Sequence, residues 1–115
     1  MLTSTDKKED ALRSIIESKA NVDNMDSNGW SALHHAAYNG EFESAQILIQ
    51  SQANVNAYSN QQKTPLHFAA LNNHLNVIKL LLVNRAEIEW MDEQKCTPLH
   101  LACKRGHKES VALLL

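Results

Sequence analysis

"KTPLHFAALNNHLNVIKLLLVNRAEIE", residues 63–89, holds two apolar stripes separated by a short polar break. Thr64 suits a helix N-cap, where its hydroxyl accepts from a free amide of the first turn. Pro65 suits the first helical position, where no N–H is needed. Leu66, Ala69 and Ala70 follow at i, i+3 and i+4, with alanines small enough for close helix packing. Asn73 ends this helix after two turns. A second helix, roughly Leu75 to Val83, places Val77, Ile78, Leu81 and Leu82 on one face. Both fall short of the ~12 residues at which an isolated helix becomes even marginally stable, so they must stack on neighbours.

The neighbours lie on either side at a fixed period. "SALHHAAYNG" begins at Ser31 and "TPLHLACKRG" at Thr97, each 33 residues from Thr64. His34, His67 and His100 align, as do Ala36, Ala69 and Ala102, then Leu48, Leu81 and Leu114. Further back, Ala20, Ala53 and Ala86 precede Val22, Val55 and Ile88. Ala45, Leu48 and Ile49, and later Val111, Leu114 and Leu115, are the counterparts of the second apolar face.

This pattern resembles the ankyrin repeat: Gly, Thr-Pro-Leu-His, Ala-Ala, an apolar second helix and a closing Gly-Ala-Asp-Val-Asn, matched over almost the whole chain. The resemblance implies an all-α solenoid of stacked helix–turn–helix pairs with short β-hairpin loops projecting at one edge. The expected division is 1–25, a partial N-terminal capping repeat; 26–58 and 59–91, complete repeats; and 92–115, a repeat truncated at its C-terminus. A lone helix near residues 7–18 is expected to cap the stack, with Asp6 and Glu9 as an Asp version of the capping box. The chain stops at Leu115 inside an apolar helix, and a fragment of a longer protein is expected.

Departures from the pattern carry information. The glycine before Thr-Pro survives as Gly29 but becomes Gln62 and Lys95. The glycine after the second helix is replaced by Lys19, Gln52 and Arg85. If those positions keep φ > 0, each costs roughly 1 kcal/mol. Ala32 replaces the proline of Pro65 and Pro98.

The histidines invite a catalytic reading, but no nucleophile and carboxylate recur beside them as a triad requires. Repetition every 33 residues fits hydrogen-bonding groups between repeats, as the resemblance also implies. The pairs His67–His74 and His100–His107 lack the Cys or carboxylate partners of a metal site. No enzyme activity, cofactor or metal is expected. His35 has no place in the pattern.

With 115 residues and 43% hydrophobic content the chain is about one ordinary domain. A net charge of −2 lacks the basic footprint of a nucleic-acid binder. No apolar run reaches signal-peptide or membrane-spanning length, so an intracellular location is expected, cytoplasmic or nuclear, without membrane insertion. Cys96 and Cys103 are expected to be reduced, with Cys103 buried at the Ala37 and Ala70 position and Cys96 accessible on a variable hairpin.

Subtracting the scaffold positions leaves hairpin tips and the solvent-facing side of each first helix, which line the concave side in this family. The candidate partner-binding residues are Met25, Trp30, Tyr38, Asn39, Tyr58, Lys63, Leu71, Asn72, Trp90, Met91, Glu93, Lys104 and Arg105. Tryptophan and tyrosine are enriched at binding hot spots and methionine adapts to irregular surfaces. Shielding of hairpin backbone competes as a role for Trp30 and Trp90. Glu87, Glu89, Asp92 and Glu93 around Trp90 are a solvated face or a site for a basic peptide. Asn56, with Leu48 eight residues earlier, resembles the family's asparagine hydroxylation site, although Asn54 stands where an acid is usual. The expected role is a protein-interaction scaffold, monomeric and with no chemistry of its own. The alternative is a regulatory ankyrin segment of a larger multidomain enzyme or ion channel.

Overall fold

The computed structural model describes residues 22–115. The helix expected near residues 7–18 lies outside the described residues, as does Lys19. Among the described residues six helices form three pairs: α1 (Ala32–Asn39) with α2 (Phe42–Gln50), α3 (Pro65–Leu71) with α4 (Leu75–Val83), and α5 (Pro98–Arg105) with α6 (Lys108–Leu114). No strand occurs among them.

Each first helix starts at Ser31, Thr64 or Thr97, whose backbone is extended. The amide of that residue donates to Nδ1 of the histidine three positions on, at 2.9 Å for His34, 3.1 Å for His67 and 3.0 Å for His100. The Thr-Pro-Leu-His box is therefore a capping box in which histidine replaces the usual Glu or Gln. Pro65 and Pro98 sit at the start of the helix, where the missing N–H costs nothing.

The first helices stack α1 on α3 on α5, and the second helices stack α2 on α4 on α6. Alanines set the spacing of the inner layer: Ala37, Ala69, Ala70 and Ala102 are wholly buried. Leu48, Val77, Ile78 and Leu81 fill the space between the layers. Leu82 is only half-buried, and Leu115 is exposed.

The loops ahead of each pair make hairpins with too few ladder bonds to count as strands. The amides of Asp26, Ser59 and Asp92 each donate to the carbonyl four residues on, all at 2.9 Å. Each hairpin leans on the next through Asn60 N–H to Asn28 O, 3.1 Å, and Glu93 N–H to Gln61 O, 3.0 Å. The replaced glycine positions keep left-handed backbone, with φ of 74° at Gln52, 63° at Gln62, 69° at Arg85 and 63° at Lys95. At Gly40 (φ 72°) glycine is required twice over, because a Cβ would stand 2.5 Å from the His74 ring.

Candidate interaction surface

The interfaces between repeats occupy most of the polar side chains that look chemically useful in the sequence. Because His34 Nδ1 accepts from an amide, its proton sits on Nε2, which donates to the carbonyl of Lys63 in the next repeat at 2.9 Å. His67 does the same to Cys96 O at 2.9 Å. Both rings are fully buried. Burial holds both imidazoles below the ordinary histidine value, against the opposing pull of the carbonyl each donates to. His74 and His107 reach back the other way, to Tyr38 O and Leu71 O, at 2.9 Å each. The paired histidines thus clasp the following and the preceding repeat.

His35 is exposed and lies with Nε2 2.9 Å from Asp26 Oδ2. Asp26 also accepts from the amides of Trp30 and Asn28 through Oδ1. The Trp30 amide, then His35, holds its carboxyl below the usual range. In the third hairpin Asp92 accepts from the amides of Gln94 and Cys96, both at 2.9 Å, and meets Lys63 Nζ at 3.1 Å. Burial pushes this carboxyl up. The Cys96 amide and the Lys63 ammonium outweigh burial and leave it below its ordinary value.

Lys63, expected to contact a partner, is therefore held in an ion pair between repeats, with its side chain 15% exposed. The thiol assignments are also reversed. Cys96 is buried, within 3.6 Å of Lys104 Nζ, and Cys103 is exposed. Ala37 and Ala70 are covered by the repeat that follows each of them, whereas no further helix pair overlies Cys103 among the described residues.

The aromatic candidates fall into two groups. Trp30 packs on Phe68 (4.4 Å between centroids), His35 (4.8 Å) and Tyr38 (5.3 Å). Phe68 also meets Tyr38 edge-on at 5.7 Å. Phe68, which shares its repeat position with His35 and Leu101, belongs to the core at 4% exposure, and the spacing alone does not mark it as part of this group. Tyr58 and Trp90 stack at 5.2 Å and 26°, and Trp90 Nε1 donates to Gln62 O at 3.1 Å. Trp30 and Trp90 are half-buried in these groups.

Met25, Tyr58 and Met91 stand at one repeat position and are 49%, 51% and 53% exposed. Tyr38, Asn39, Glu93, Lys104 and Arg105 are exposed, and Leu71 and Asn72 half-buried. Asn72 Nδ2 donates to Tyr38 O at 2.8 Å, tying two candidates together. Asn56 is half-buried. Its Oδ1 accepts from the Glu87 amide at 2.8 Å, and its Nδ2 lies 3.5 Å from Arg85 O.

No curated protein matches this chain. A family model described as ankyrin repeats (3 copies) matches residues 1–92 and again 59–115. Together with the stacked helix pairs and their histidine caps, this match shows that the chain belongs to the ankyrin-repeat family.

Proposed function

We propose that the chain is a protein-binding scaffold without chemistry of its own, working inside the cell, and that a protein partner lies across its hairpin tips, the exposed edges of α1 and α5, and half-buried Leu71 at the end of α3. Ankyrin repeats are in general protein-interaction modules. The observation that carries the reading is the row Met25, Tyr58 and Met91: three large apolar side chains, one per repeat, each about half exposed. The protein core has no use for them there, and hot spots favour such residues. Tyr38 extends the surface onto α1, with its ring held edge-on by Trp30 and Phe68. Rings already fixed lose little entropy on binding.

Residue-specific photocross-linking tests this directly. A photoreactive phenylalanine at Tyr38 or Tyr58 should capture the partner from its native mixture, and one at Lys79 on the outer face of α4 should not. Capture only from Lys79 would place the partner on the wrong side for this reading.

A further inference from the structure

We infer that the partner segment meeting the third hairpin is cationic, an extended lysine- or arginine-bearing peptide that rests on the Tyr58–Trp90 stack between Glu87, Glu89 and Glu93. The inference deepens the reading of the hairpin tips as docking surface and rests on it.

The rings come first. Tyr58 and Trp90 are nearly parallel, and the indole is fixed by its bond to Gln62 O, so half-exposed Tyr58 presents a preset aromatic surface. The face of such a ring is electron-rich and attracts an ammonium or guanidinium group. Ile88, 42% exposed, and Met91 offer apolar surface for the stem of a long cationic side chain.

Charge then selects the occupant. Lys63 is committed to buried Asp92, so it leaves the neighbouring acids unneutralised. Glu87, Glu89 and Glu93 are exposed, and none forms an ion pair among the described residues. Arg85 and Lys95, both exposed, bracket the loop and confine the negative stretch to residues 87–93. A neutral or acidic segment laid here would strip water from three carboxylates with no compensation, whereas a cationic one replaces that water with opposite charge.

Peptides selected from a random display library on the immobilised chain, then synthesised and titrated by fluorescence anisotropy, provide the test. The selected peptides should carry net positive charge. Their affinity should fall at least tenfold in Tyr58→Ala and in the triple variant Glu87→Gln, Glu89→Gln, Glu93→Gln, and should weaken with added salt. All three glutamates are exposed, so the triple variant should keep its unfolding midpoint. Neutral or acidic peptides that still need Tyr58 would overturn the cationic assignment and leave the docking surface standing. Peptides indifferent to Tyr58→Ala but lost in Lys79→Glu, or a library that yields no binder, would overturn the inference together with the reading beneath it.

Discussion

His34 and His67 each serve two elements at once. Nδ1 closes the cap of its own helix and Nε2–H reaches the next repeat. A proton added to Nδ1 would face an amide N–H and break the cap. Burial lowers both pKa values below the ordinary 6.5. The unfolded chain therefore binds more protons in the interval just beneath that value, and stability rises with pH across it. The contribution is complete above about pH 6.5 and is lost as pH falls toward the lowered values. Urea unfolding should give a constant midpoint above neutrality and a falling one below pH 6.5. His34→Ala or His67→Ala should cost about 2 kcal/mol and flatten that slope, since each removes the ring's bonds to its cap residue and to the next repeat. A midpoint unchanged from pH 7.5 to 5.5 would contradict this use of the rings. The thiols give a second check: native labelling should strike Cys103 before Cys96, the reverse of what alignment suggests. The period identified the position of Cys103 correctly. Its exposure depends on which helices cover it, and Cys96 is buried although its position is variable. Both are facts of packing that residue type at a fixed spacing does not carry.

Among the elements, the helices were legible and their connections less so. Caps, alanine stripes and breaks are local chemistry, so Thr64, Pro65, Leu66, Ala69 and Ala70 declare α3 from sequence alone. The back-reaching bonds of His74 and His107 cross 36 residues, and the Lys63–Asp92 pair joins successive hairpins, so neither has a local signature. The left-handed turns sit between these cases. The condition φ > 0 at the lost glycines holds at Gln52, Gln62, Arg85 and Lys95. Each side chain there is exposed, so its replacement by glycine removes backbone strain at little cost in packing. Gln52→Gly, Arg85→Gly and Lys95→Gly should each raise stability by about 0.5–1 kcal/mol, adding nearly independently in the triple variant. Gly40→Ala should do the opposite, losing about 2 kcal/mol through left-handed strain and the clash with His74. Denaturant midpoints at constant slope would decide both. Equal destabilisation by all four would mean that these turns do not relax as described.

At the scale of the whole molecule, the stack presents two unlike long faces. The outer one carries a shallow groove lined by Phe42, Asn76, Lys79, Leu80 and Val83, with Val83 81% exposed, and it is the rival surface for a partner. The inner edge carries Tyr38 and the row of hairpin tips. The sequence shows which positions are free of scaffold duty, and the aromatic candidates stand at such positions. It does not show that Trp30 is half buried against Phe68 of the next repeat, or that Trp90 is fixed by Gln62 O, because both contacts join residues at least 28 positions apart. Tyr38 and Tyr58 are therefore the anchors that can be removed with the least harm to the fold. Truncating a central anchor typically costs ~2 kcal/mol or more of binding energy. The most direct measurement is the affinity of the purified partner for the wild-type chain, Tyr38→Ala, Tyr58→Ala and Lys79→Glu, each checked for an intact unfolding transition. The account predicts at least tenfold weaker binding for both tyrosine variants and normal binding for Lys79→Glu. Normal binding by both tyrosine variants, with binding abolished by Lys79→Glu, would contradict it and assign the partner to the outer face.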